Sequence, residues 1–180
     1  MRLAALEALE NVPASEGPLG HLFVPYVWNA SHDANENVVM LAKGLWQTAP
    51  DGLPEDTYAD ALLSLLVHDD ATVRENATRS IAAAVTEHPD SFESTIRKLY
   101  DLYKLTAALP EVQLDEYGRP IKVDWKDPIH LRVSIADAIK ETTQFMTSAQ
   151  ALSALVAFLI SDGFADRSER VRLKMLEVRK

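Results

Sequence analysis

The chain contains no cysteine, which excludes a disulfide scaffold, a thiolate zinc site and a thiol enzyme. Glycine and proline together make only 15 of the 180 residues, below the ~12% of average usage. No long apolar run is present. The longest, 151–160, is broken by Ser153, whereas a membrane span needs about twenty apolar residues. No export signal is expected in the first residues, because Glu7 and Glu10 interrupt the apolar stretch that a signal peptide requires. The sequence has no Gly-rich phosphate loop, no Gly-x-Ser-x-Gly elbow and no Cys/His pair. No enzyme chemistry, cofactor or small-molecule substrate is therefore expected. The expected location is cytoplasmic, without membrane contact.

What is abundant is helix former. The sequence holds 24 Ala and 23 Leu, both residues of high helix propensity. Apolar residues recur at helical spacing in Tyr58, Leu62, Leu65 and Leu66, in Phe92, Ile96, Leu99 and Tyr103, and in Leu152, Leu155, Val156 and Leu159. Leu3, Leu6 and Leu9 share one side of the first segment. No stretch alternates apolar and polar residues for long enough to be a strand. The pattern predicts helices near 1–11, 18–30, 33–48, 54–68, 70–87, 89–109, 128–145, 148–162 and 167–180. Asp33-x-x-Glu36 and Thr147-x-x-Gln150 have capping-box spacing, and Asp127-Pro128 offers an N-cap acceptor followed by proline. Leu53-Pro54-Glu55-Asp56 brings acid into a first turn.

Internal repetition is more informative. Asp69 precedes Val73-Arg74, Asp127 precedes Leu131-Arg132, and Asp166 precedes Val171-Arg172. Asp33 before Val38 is a fourth copy without the arginine. The aliphatic positions 38, 73, 131 and 171 lie 35, 58 and 40 residues apart. Discounting a loop at 110–127 returns the middle interval to about 40, the period of HEAT repeats. The expectation is an all-α, right-handed HEAT-repeat α-solenoid of antiparallel helix pairs. One segment, 1–180, would hold about four and a half repeats, with a long intra-repeat loop at 110–127. Apolar residues at both ends, among them Leu3, Leu6, Val171 and Met175, suggest a piece of a longer solenoid, since an end repeat would show a polar outer face. A turn Asp is expected to cap its own helix and to pair with a neighbouring repeat's Arg. Asp69, Arg74, Asp127, Arg132, Asp166 and Arg172 would then form an inter-repeat ladder.

Particular residues resemble one family. They are His32-Asp33, Asn37-Val38, Ala42-Lys43-Gly44-Leu45-Trp46, the run 59–66, and Val73-Arg74-Glu75-Asn76-Ala77. The long segment Leu99-Tyr100-Asp101-Leu102-Tyr103-Lys104 adds to them, as does its following insert with Leu114-Asp115-Glu116-Tyr117-Gly118-Arg119. Trp125, Asp127 and Leu131-Arg132-Val133-Ser134-Ile135-Ala136 complete the set. Over roughly 20–180 the chain resembles the general control nonderepressible translational activators. These are HEAT-repeat coactivators of the kinase that phosphorylates initiation factor two alpha during amino-acid starvation. The Asp-x-x-Gly-Arg turn is the most specific part of the resemblance, which places this piece just before the family's elongation-factor-three-like region. It implies a non-enzymatic scaffold on translating or collided ribosomes, with the ribosome and proteins of the starvation-kinase pathway as partners. The family's kinase-binding segment has no counterpart here, so no functional residue is carried over from it. A HEAT-type adaptor or transport scaffold unrelated to ribosomes is the alternative.

His32-Asp33 and His68-Asp69 sit at the same turn of successive repeats. Repetition accounts for them without a metal, which would need further converging ligands. Charge is uneven along the chain. Residues 1–73 carry 2 basic and 11 acidic side chains, whereas residues 74–180 carry 16 of each. Segment 167–180 has 6 basic against 2 acidic. On a helix, Arg167, Arg170 and Lys174 fall within about 60° of one another, a candidate contact with phosphates such as those of ribosomal RNA. Arg119, Lys122 and Lys126 of the insert are further candidates, diluted by five acids at 111–127. Tyr117 and Trp125 are expected to pin the insert to the solenoid.

Overall fold

The computed structural model describes residues 2–10, 23–47, 55–110, 115–119, 125–146 and 149–178. Among them all regular structure is helical: α1 (Arg2–Glu10), α2 (Val24–Ala30), α3 (Glu36–Gln47), α4 (Glu55–Leu65), α5 (Ala71–Glu87), α6 (Phe92–Ala107), α7 (Ile129–Thr143), α8 (Ala149–Phe158) and α9 (Glu169–Leu176). A 3-10 turn, Pro89–Ser91, opens α6, and a π turn, Leu159–Gly163, extends α8. No described helix is long and apolar enough to cross a membrane.

Consecutive helices pair, α2 with α3, α4 with α5 and α6 with α7, while α9 packs on the π turn. The second helices stack on one another, α1 on α3 and α5 on α7 on α9; α2, α4 and α6 stack in sequence on the other side. This is the all-α solenoid plan, in which each pair covers an apolar face that its neighbour cannot bury alone.

Phe92, Ile96, Leu99 and Tyr103 of α6 are all buried, as their spacing predicts. The buried face of α8 is rotated from the expected one. Leu155 and Leu159 are buried, but Val156 is 38% exposed, and Ala151 and Phe158 face inward instead. Phe158 stacks flat on Tyr100 with ring centroids 4.2 Å apart and meets the edge of Tyr103 at 5.2 Å. The larger aromatic area outweighs that of valine.

The core is divided. Leu6, Val27, Val38, Ala42 and Leu45 form one cluster, and a larger one runs from Val24 of α2 to Val178. Trp46 packs against both and lies 4.8 Å from Trp28, centroid to centroid. Trp28 donates its indole N–H to the Ser80 carbonyl at 2.8 Å, tying α2 to α5.

Helix starts depart from the expected caps. Asn35 accepts the Asn37 N–H at 3.0 Å and Asp33 accepts the Asn35 N–H at 2.9 Å, so Asp33 and Glu36 do not form the box that opens α3. The cap of α5 is Asp70, one residue past Asp69, and it accepts the Thr72 N–H at 2.8 Å. Asp127 does not cap α7, which begins after Pro128 without a side-chain cap, because two arginines occupy its carboxylate. Thr147 of the second box and Leu53-Pro54 lie outside the described residues.

Candidate interaction surface

Polar contacts between repeats gather at the turns inside the helix pairs. Asp33, buried between α2 and α3, takes Arg2 of α1 at 3.0 Å and Nδ2 of Asn76 from α5 at 2.8 Å. Arg74 follows another pattern. Its Nη1 donates to the carbonyls of His68 and Asp69 at 2.6 and 2.7 Å, and its Nε reaches Ser134 of α7 at 3.1 Å. Asp69 thus meets Arg74 through its carbonyl, not its carboxylate. Arg172 likewise donates to the carbonyl of Asp166 at 2.7 Å.

Arg132 brings four segments together. Its side chain has no exposed surface. Nε and Nη2 donate to the Asp166 carboxylate at 2.7 and 3.2 Å, while Nη1 and Nη2 bind Asp127. Tyr103 of α6 donates its hydroxyl to Asp166 at 2.5 Å. Arg167 approaches Asp127 from the other side through Nε and Nη2, both at 2.7 Å. Its Nη1 donates to the Ala107 carbonyl at 2.7 Å, and its guanidinium lies 4.9 Å over the Trp125 ring. The result is a neutral knot of two guanidiniums and two carboxylates.

Hydrogen bonds from Arg167, then Arg132, hold the Asp127 carboxyl well below the usual carboxylate range. Burial disfavours the charge on Asp166, but bonds from Tyr103 and Arg132 outweigh it and lower its pKa as well. Burial and the bond to Asp166 push the Tyr103 hydroxyl up, so it remains a donor.

Arg167, Arg170 and Lys174 do not form a stripe. Arg167 precedes α9 and folds back onto Asp127 and Trp125. Lys174 is paired with Asp137 at 3.0 Å and Glu177 at 3.3 Å; the Asp137 bond is the main cause of its raised pKa. Arg170 is exposed, and it shares with Glu75, His130, Asp137, Leu173 and Lys174 the lining of an open groove of about 640 Å³ across α5, α7 and α9. In the insert, Arg119 is paired with Asp115 at 2.9 Å and lies 5.0 Å over the Tyr117 ring. Lys126 is exposed, and Lys122 lies outside the described residues. Trp125 meets Arg167, but Tyr117, 72% exposed, does not pin the insert.

Asn76, Ser134 and the Tyr103 hydroxyl matter here as polar partners, a role that the runs containing them did not announce. A polar group on a core-facing helical position was the available signal, because such a group needs a buried partner. His32 Nδ1 lies 2.9 Å from the Trp28 carbonyl, and His68 Nδ1 accepts the Asp70 N–H at 3.0 Å. Burial lowers the His32 pKa. Among the described residues no group of three His, Cys, Asp or Glu is placed to hold a metal ion. Both dipeptides serve their turns.

A family model described as the HEAT repeats of the stalled ribosome sensor GCN1 matches residues 19–178. The mouse (Mus musculus) stalled ribosome sensor GCN1 is 25% identical over 165 residues, covering 92% of this chain and 6% of that protein. Its human (Homo sapiens) counterpart is 26% identical over 151 residues, with 84% and 6% covered. The Arabidopsis thaliana protein ILITYHIA is 30% identical over 179 residues, with 98% and 6% covered. The chain therefore spans about 6% of the length of these curated relatives. No solved structure matches it. With repeat spacing, helix pairing and the match over nearly the whole length in agreement, the chain belongs to the GCN1 HEAT-repeat family.

Proposed function

We propose that the chain is a non-enzymatic, cytoplasmic segment of a ribosome-associated scaffold. In this reading it is one stretch of about four and a half repeats, with a long loop at 110–127, in a much longer solenoid. It contributes surface to translating or collided ribosomes, and the whole protein promotes activation of the starvation-responsive initiation factor two alpha kinase. The match of residues 19–178 to the HEAT repeats of a stalled ribosome sensor carries the proposal. Open helix layers joined by internally satisfied polar turns suit binding over a wide surface.

Of the proposed ladder, Asp127, Arg132, Asp166 and, through Ser134, Arg74 act in stacking, whereas Asp69 and Arg172 close their own turns through backbone carbonyls. Of the proposed ribosome-facing cations, Arg170 and Lys126 are exposed and available to phosphates, whereas Arg167, Lys174 and Arg119 are already paired. Cosedimentation with purified ribosomes across a salt series tests this. Association is expected to weaken steeply as salt rises, and Arg170→Glu is expected to reduce the log–log salt slope by about 1. Arg167→Glu is expected to lower the melting temperature as well. Absence of association at every salt concentration, from this chain and from a longer stretch containing it, would overturn the ribosomal reading in favour of an adaptor unrelated to ribosomes.

A further inference from the structure

The insert ends in a closed turn. Asp115 and Arg119 bracket it, with the Asp115 N–H donating to the Arg119 carbonyl at 2.9 Å and the Gly118 N–H to the Asp115 carbonyl at 2.9 Å. The Asp115 carboxylate accepts the Tyr117 N–H, the Arg119 N–H and the Arg119 Nε, each at 2.9 Å. Gly118 supplies the positive φ, +74°, that closes the turn. Tyr117 is held against the Arg119 guanidinium, 5.0 Å from the ring centroid, yet stays 72% exposed. Two residues of the kind that dominate interfaces are thus ordered before any partner arrives, which removes part of the entropic cost of binding.

We infer that this tip docks a cationic side chain of a partner protein. Arg119 lies over the Tyr117 ring, which still stays 72% exposed and so can receive a second guanidinium or ammonium. Glu116, exposed beside it, offers a carboxylate to the same cation. The charge balance selects protein over nucleic acid. In the turn 115–119 Asp115 and Arg119 neutralise each other, which leaves the exposed Glu116 carboxylate as the unbalanced charge, one that repels phosphates and attracts a cation. The inference does not depend on whether the chain meets a ribosome.

Amide shifts of the isotopically labelled 180-residue chain test it. The probes are an eight-residue alternating Arg–Ser peptide and, separately, an eight-nucleotide oligouridine. Saturable shifts at Tyr117, Gly118 and Arg119 are expected with the peptide and not with the RNA. Tyr117→Ala and Glu116→Gln are each expected to weaken the peptide's affinity at Gly118 threefold or more, with an unchanged melting temperature; Tyr117→Phe retains it. Peptide shifts confined to the acidic residues 1–73, or RNA shifts at the tip equal to the peptide's, would overturn the inference.

Discussion

Arg132 carries a buried charge through the middle of a helical stack. Removing ions from water costs several kcal/mol each, and attraction offsets this only when the remaining hydrogen-bonding capacity is filled. Around Arg132 it is filled, since Tyr103 and the Ser168 N–H complete Asp166 and Arg167 completes Asp127. Arg132→Ala would leave Asp166, whose side chain is 2% exposed, without its guanidinium. The expected cost is about 3–5 kcal/mol, seen as a lower urea midpoint, with partner affinity per folded molecule unchanged. Lost binding with an unaltered melting curve would contradict the structural role. Acid attacks the same knot through its carboxylates. Because Asp127 and Asp166 titrate lower in the folded chain than unfolded, their contribution is complete above about pH 4 and is lost as pH falls through the folded values. The melting temperature is expected to drop between about pH 4 and 2 more steeply than in Asp127→Asn; parallel slopes would refute this linkage. The arginine was legible as an Asp-then-Arg spacing. Its network was not, because Tyr103 stands 63 positions from Asp166 and Arg167 stands 40 from Asp127, distances that only stacking closes.

At the scale of the element, apolar spacing located the helices because each helix must bury one stripe, and the Asp-x-x-Gly-Arg string located the turn of the insert. Spacing could not place the face of α8, which the rings of Tyr100 and Tyr103 on another helix decide. It also could not place the end of that helix, where the π turn brings Gly163 against α9. A Cβ there would stand 3.2 Å from Met175 Cγ and 3.3 Å from Leu159 Cδ2. Extra volume in a packed contact costs about 1–3 kcal/mol, while replacing glycine recovers up to about 1 kcal/mol of chain entropy. Methionine adapts well to altered packing, so Gly163→Ala is expected to destabilise by no more than about 1 kcal/mol. Gly163→Val, with two further methyl groups to accommodate, is expected to lose at least about 2 kcal/mol. Urea denaturation of both variants checks the ordering, and equal stability would mean that α8 and α9 separate freely.

The whole molecule is a row of helix pairs whose stability is approximately a sum of repeat and interface contributions. The interfaces are unequal. One apolar cluster runs from Val24 and Trp28 of α2 to Val178, whereas Leu6, Val27, Val38, Ala42 and Leu45 of α1, α2 and α3 form a separate one, with Trp46 packed against both. Besides Trp46 and the α2 side chains Val24 and Trp28, polar links cross the joint from Trp28 to Ser80, from Ser80 to Asn29 and from Asn76 to Asp33. Polar links of this kind contribute about 1 kcal/mol each, less than the burial of a large aromatic side chain. Residues 1–47, with five acids against two bases, add a smaller self-repulsion on the α1–α3 side of the joint. The amides of α1 and α3 should therefore exchange with solvent through an opening of lower free energy than those of α5 and α7. Trp46→Ala should lower that opening energy by about 2 kcal/mol and leave α7 nearly unaffected. Hydrogen exchange resolved by mass spectrometry distinguishes this from a single cooperative unit, in which Trp46→Ala would lower protection equally in α3 and α7. An equal loss would mean that the polar links, and not the shared tryptophan, carry the coupling along the row.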